Sequence, residues 1–377
     1  MVCMNIEIEI QGSFRNINAE AWNALTDGSP VLNHALFATL EETGCVGPGT
    51  GWQPYPVIAS SVGQLVGAMP LYLKGHSYGE YVFDWAWADV FERCGIDYYP
   101  KLLVAIPFTP VTGPRLLGRR PEVQNLLVQL LARQLEQHAL SSAHVLFPDD
   151  ASSQALANAG WLERNGVQFR WENEGFASFD DFLGVLSHDK RKKIRQERRK
   201  IADAGIQCRI LQGSEIRPQD WDFFFRCYQN TYYEHHSTPY LNREFFHLLG
   251  ERMPENILLV IAERDQKPVA ATFNLYDANT LYGRYWGSMQ YVPGLHFELC
   301  YYQLQEFCIA HGLHYFEGGA QGEHKLARGF RPRITRSFHK IAHAEFEMAI
   351  RDHVEREAKG VGLYHDELEE RAPFRKD

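Results

Sequence analysis

Residues 319–332, "GAQGEHKLARGFRP", hold three glycines, one lysine, two arginines and a proline, with only Leu326 and Phe330 as sizeable apolar groups. They follow "GLHYFEG", in which Leu313, Tyr315 and Phe316 read as a short buried strand closed by Glu317. Gly318, Gly319 and Gly322 let backbone approach a ligand closely. Lys325, Arg328, Arg331 and Arg333 supply cations for a phosphate, a carboxylate or a developing oxyanion. Glu317, and less directly His324, offer a base for an amine, whose ammonium form holds its proton to about pH 10. The plain alternative is a turn with solvated cations, and Glu317 in an ion pair with an arginine.

Further candidates flank this loop. In "LYGRYWGS" Arg284 stands in an aromatic strand beside Trp286. A guanidinium buried there needs an acid such as Glu298 or Glu317, or an anionic ligand. Trp286 reads as core or as a substrate-binding surface. His296 and Glu298 open the amphipathic stretch "HFELCYYQLQEFCIAHG", from which they can face the same cleft. The run "DKRKKIRQERRK" (189–200) is a solvated helical face, a contact to RNA, nucleotide or an anionic lipid carrier, or an intramolecular docking face for the acidic tail. "YYEHH" and "HKIAH" lack a third ligand at zinc spacing, so no metal is expected. No G-x-S-x-G elbow and no G-x-x-x-x-G-K-[ST] loop occurs, which removes support for serine hydrolases and P-loop enzymes.

The elements that must position these residues repeat. "IASSVGQLVGAMPLYL" (58–73) and "IAERDQKPVAATFNLY" (261–276) match at a constant offset, Ile58 on Ile261, Val66 on Val269 and Ala68 on Ala271. Each reads as strand, polar turn, strand. The same offset places Tyr98 and Tyr99 on Tyr301 and Tyr302, with an aromatic strand, "EYVFDWAW" or "TLYGRYWGSM", in between. A repeat this long is a doubled domain, each half burying its own core. The length of 377 residues suits two domains. Helices are expected at "QDWDFFFRCYQNTYYEHH" and "NREFFHLLGERM", strands at 257–263, 268–277 and 279–288, and a helix at 180–203 joining the halves. Residues 345–377 read as an acidic helical tail.

"YLNREFF", "LYGRYWGS", "LHFELCYYQ" and "GAQGEHKLARGF" together resemble the FemAB-like (peptidoglycan biosynthesis/recognition) family of the GNAT acyltransferase superfamily. The resemblance implies an α/β fold of tandem GNAT-like domains, each a mixed, mostly antiparallel sheet flanked by helices. The expected limits are 1–175, 176–345 with the active site, and the tail 346–377. It also implies an acyl or aminoacyl transfer onto an amine acceptor, in which the amine attacks the acyl carbonyl directly. The donor is an acyl-CoA or an aminoacyl-tRNA, and a cell-wall precursor is a candidate acceptor. Here Glu317, Lys325 and Glu298 are the candidate catalytic residues. Arg284, Trp286, His296, Gly319, Gly322, His324 and Arg328 are the candidate substrate-binding ones. The pyrophosphate loop of CoA-binding relatives, [QR]-x-x-G-x-[GA], is degenerate in "QYVPGLHFE". The other function class left open is a non-catalytic protein that binds a cell-wall or nucleotide-linked ligand.

A net charge of −9 argues against general nucleic-acid affinity, so any basic site is local. Seven scattered cysteines without a CxxC pair, no signal-like start and no membrane-length apolar run point to the cytoplasm.

Overall fold

In the computed structural model, residues 6–319 and 322–375 are described. Ala320 and Gln321 of the glycine-rich loop lie outside them. The chain divides into two compact units, Met1–Gly166 with Ile334–Leu363, and Val167–Arg333 with Tyr364–Asp377.

The first unit opens with β1 (Glu7–Ile10), α1 (Ala19–Asn23), α2 (His34–Glu42), β2 (Trp52–Pro54), β3 (Val57–Ser61), β4 (Gln64–Met69) and β5 (Leu71–Lys74). It continues through α3 (Trp85–Arg93), β6 (Lys101–Val104), α4 (Pro121–Gln137), β7 (Ser142–Leu146), α5 (Asp150–Asn158) and the start of β8 (Leu162–Glu172). The second unit adds α6 (Phe179–Val185), α7 (His188–Asp203), β9 (Ile206–Gln212), α8 (Pro218–Glu234), α9 (Arg243–Arg252), β10 (Ile257–Arg264), β11 (Lys267–Tyr276) and β12 (Thr280–Ser288). One long helical stretch follows, made of α10 (Leu295–Phe297), a π-helical segment Glu298–Tyr302 and α11 (Gln303–His311). Then come β13 (Tyr315–Glu317), a 3-10 helix Glu323–Arg328, β14 (Arg331–Ile341) and α12 (Ala344–Glu370).

The two hairpins matched in the sequence share their backbone register. Ile58 faces Ala68 and Ile261 faces Ala271. Both registers then slip at equivalent places, after Ala59 and after Ala262, leaving Val66 and Val269 as the extra residues. The correspondence continues in strand direction. β5–β6 is antiparallel, β6–β7 parallel and β7–β14 antiparallel. β11–β12, β12–β13 and β13–β8 repeat that order. The halves differ where Pro70 breaks the first copy. β4 stays in a three-stranded sheet with β1 and β3, and β5 starts afresh, whereas β11 runs uninterrupted.

The expected limits 1–175, 176–345 and 346–377 follow chain order, and the compact units do not. Residues 167–172 of β8 belong to the second unit, and 334–341 of β14 to the first. Each unit's sheet is therefore completed by a strand from the other half of the sequence, and α12 is likewise divided at 363/364. α7 lies within the second unit and does not join the halves.

Two equivalences fail. "EYVFDWAW" is no strand: Trp87 and Phe91 are buried four residues apart on α3, so helical spacing wins over aromatic strand preference. Tyr98 and Tyr99 precede β6, whereas Tyr301 and Tyr302 sit in the π-helical segment.

Candidate active site

β12 and β13 pair in parallel only from Thr280–Tyr282 to Tyr315–Glu317. Immediately beyond, β12 carries a bulge: Phe273 faces Tyr285 and Asn274 faces Gly283, so Arg284 is the extra residue. A bulge bends its strand and re-aims side chains, and bulges concentrate beside active sites. β13 meanwhile ends, and the chain departs through Gly318 and Gly319. The β12–β13 pairing thus ends at Tyr282 and Glu317, with Arg284 two positions further along β12. Gly318 is required for close packing, since a Cβ there would come within 2.7 Å of the Phe330 ring.

Lys325 reaches back from the 3-10 helix and donates to the Gly319 carbonyl at 2.9 Å. It is 3% exposed, and burial brings its ammonium down to about 8, with Cys300 and Glu317 acting against the shift. Burial raises the Glu317 carboxyl above its ordinary value, opposed by Arg170, which stands 3.8 Å away. The Arg170 guanidinium lies over the Tyr315 ring, 4.3 Å from its centroid, and also pairs with Glu172 at 3.0 Å.

A cluster of rings extends the site. The His324 Nε2 is 2.8 Å from the Tyr301 hydroxyl. Gly322 makes room for it, because a Cβ there would lie 2.5 Å from the imidazole. His296 packs between Trp286, at 5.2 Å, and Tyr301, at 5.5 Å, with His324 6.0 Å away. Burial, then the neighbouring His324, Arg328 and Lys325, lower His296 to about 4, so it is neutral at physiological pH.

Two expected site residues are engaged elsewhere. Arg328 is buried, with its guanidinium 3.5 Å from the Phe297 ring centroid. It pairs with Glu197 at 3.0 Å and donates to the His324 carbonyl at 2.7 Å. It therefore ties the 3-10 helix to α7. Glu298 is buried against Arg198 at 3.0 Å and accepts from Gln303 at 2.7 Å. Arg331 and Arg333 pair with Glu174 and Glu172. Sequence reasoning missed Glu197, hidden inside a run read for its cations, and also Arg170, Cys300 and Tyr301.

Glu298 instead lines a cavity of about 780 Å³ with Phe179, Arg195, Arg198, Arg199 and Glu306. α7 presents Lys192, Lys193, Arg195, Arg199 and Lys200 towards its outer face, while Ile194 and Ile201 form its buried seam. At the degenerate loop the Leu295 amide donates to the Val292 carbonyl, and those of Phe297 and Glu298 donate to that of Gly294.

A family model described as peptidoglycan biosynthesis/recognition, FemAB-like, matches residues 13–376. The chain belongs to the FemAB-like family. Among solved structures, FemX aligns with a TM-score of 0.56 at 10% identity, over 89% of this chain and 98% of its own. L-PGS from Bacillus licheniformis aligns at 0.53 with 10% identity, over 84% and 94%. A conserved protein of unknown function from Bacteroides thetaiotaomicron aligns at 0.53 with 11% identity, over 88% and 99%. No curated protein matches the chain. These likenesses show the fold of this FemAB-like chain, an α/β tandem of GNAT-like units. Among the described residues no helix is long and apolar enough to cross a membrane.

Proposed function

We propose that the second unit transfers an acyl or aminoacyl group onto the amine of a cell-wall precursor or a related small molecule. The observation that carries this reading is a buried ammonium, Lys325, and a carboxyl of raised pKa, Glu317, where the pairing of β12 with β13 ends. Glu317 takes the proton of the acceptor ammonium. The freed amine attacks the acyl carbonyl, forming a C–N bond. Lys325 stabilises the oxyanion as the carbonyl opens. Collapse breaks the bond to the donor, whose leaving oxygen or sulfur receives the proton that Glu317 accepted. Glu317, freed again, takes the second proton from the newly bonded nitrogen and releases it to solvent. His324 and the neutral His296, walled by Trp286, bound the acceptor side. The departure of "QYVPGLHFE" from the pyrophosphate-loop pattern favours an aminoacyl-tRNA over an acyl-CoA as donor. The cationic face of α7 is where the tRNA or another anionic carrier would be held. The family's description names recognition beside biosynthesis, and a binding protein is the second reading.

The test offers the purified protein aminoacyl-tRNA or acetyl-CoA together with a UDP-linked muropeptide, and follows the muropeptide by mass spectrometry. A mass gain of one aminoacyl residue supports the reading. Tight muropeptide binding without a mass gain from either donor replaces it by the recognition reading.

A further inference from the structure

In the first unit the segment between β5 and α3 combines two features that no step above uses. On the outside it shows three aromatic rings: Tyr78 is 57% exposed, Phe83 57% and Trp85 38%. The Tyr78 and Trp85 rings lie 5.0 Å apart, tilted by 58°. On the inside it is pinned by a buried ionic network. Lys101 binds Ser77 at 2.8 Å, Glu80 at 2.9 Å and Asp84 at 2.5 Å. Lys74 and the Trp52 indole both donate to the Tyr78 carbonyl, at 3.3 and 3.1 Å. Arg164 donates to the Phe83 carbonyl at 2.7 Å. Gly79 has φ +80°, and a Cβ there would meet the Phe108 ring at 2.6 Å.

Burying two lysines with two carboxylates is a poor way to gain stability and a good way to fix one conformation. What this network fixes is a set of rings held out in water. Exposed apolar clusters of this kind mark binding sites, and a rigid support is what a site requires of its surroundings.

We propose that Tyr78 and Trp85, with Phe83 exposed two residues before Trp85, form a saccharide-binding surface that stacks the C–H face of a pyranose ring. The chemistry around the rings selects this ligand. The cations that support the segment are engaged: Lys74 and Lys101 are buried and spent on Glu80, Asp84 and the Tyr78 carbonyl, and Arg164 binds Glu357 and the Phe83 carbonyl. The adjoining face of α3 exposes Asp89 and Glu92 against Arg93, which repels an anionic bilayer. The Trp85 indole N–H and the Tyr78 hydroxyl make no hydrogen bond among the described residues, and so are available to sugar hydroxyls. An aromatic body with a polar edge suits a neutral polyhydroxylated ring better than a hydrocarbon chain. The inference is independent of the transfer chemistry assigned to the second unit.

The test titrates the full chain with tetra-N-acetylchitotetraose, reading tryptophan fluorescence and saturation-transfer NMR, with choline chloride and anionic phospholipid vesicles as parallel arms. Saturable binding of the tetrasaccharide is expected, weakened at least tenfold in Trp85→Ala and in Tyr78→Ala at unchanged melting temperature. Lys325→Ala, which alters only the second unit, should bind it as the native protein does. Absence of tetrasaccharide binding, binding indifferent to Trp85→Ala, or choline or vesicles bound in its place would overturn the proposal.

Discussion

At the scale of single residues the transfer reading rests on Lys325 and Glu317. Removing a charge-assisted interaction with the developing oxyanion should cost about 2–4 kcal/mol, a rate loss of roughly 30- to 1,000-fold for Lys325→Ala. The pH profile gives a sharper check. Glu317 must be ionised to accept a proton, so the rate should rise with pH through its raised pKa. Lys325 must be charged, so the rate should fall again near pH 8, where its ammonium titrates. Lys325→Arg should move that alkaline limb upward by more than one pH unit while retaining part of the activity. A limb that stays in place would assign it to another group. That Lys325 follows a strand and glycines was readable in the sequence. Its burial was not, since that depends on Phe169, far away in sequence, whose ring centroid lies 5.9 Å from the ammonium. Arg328 was misread for a related reason. Its partner Glu197 stands 131 residues away, in a segment notable only for its cations.

At the scale of elements, the candidate site depends on β12 being held against α8. Gly287 is where they touch: a Cβ there would lie 2.0 Å from the Cys227 carbonyl oxygen and 2.8 Å from the Thr231 hydroxyl. Backbone cannot yield as a side-chain tip can. Gly287→Ala should therefore destabilise the second unit by about 3 kcal/mol, at the upper end of overpacking costs, read as an earlier urea midpoint with the slope unchanged. An unshifted midpoint would show that β12 and α8 can move apart freely. α7 admits a second test. Replacing Lys192, Arg195 and Arg199 by Ala should weaken tRNA binding and lower the salt slope by about 3, one unit for each phosphate no longer neutralised. A slope that stays the same leaves these cations as a solvated face. Hairpins and helices of this unit follow from the sequence because their periodicity is local, and the shared bulge at Val66 and Val269 shows how far the internal match reached. "EYVFDWAW" misled because aromatic content alone does not separate a strand from a helix with rings four residues apart.

At the scale of the whole chain, the exchange of β8 and β14 was illegible, because no local pattern states which sheet a strand joins. It nevertheless places His339, on β14, against His144, on β7, with their Nδ1 atoms 2.6 Å apart. Ser142 and Ser337 bind the other ring nitrogens at 2.8 and 2.9 Å. Burial, with Lys101 and Arg164 nearby, lowers His144 to about 3; burial and the facing His144 lower His339 as well. Both folded values lie below the ordinary 6.5, so below that pH the unfolded chain binds protons that the folded chain refuses. Their stabilisation is full above about pH 6.5 and drains away as the pH falls. Glu80 works in the other direction, because burial raises its carboxyl to about 7 and the folded chain takes up its proton first. Of these three groups the two histidines outweigh the one carboxyl, so together they cost stability as the pH falls below about 6.5. His144→Gln keeps a group that can bond Ser142 but removes one titration. Its melting temperature should be lower at about pH 7.5 yet fall less steeply towards about pH 5.5 than that of the native chain. Parallel pH dependences for the two proteins would mean that His144 is protonated in the folded state, and that β14 is held to β7 by a charged pair rather than by a neutral one.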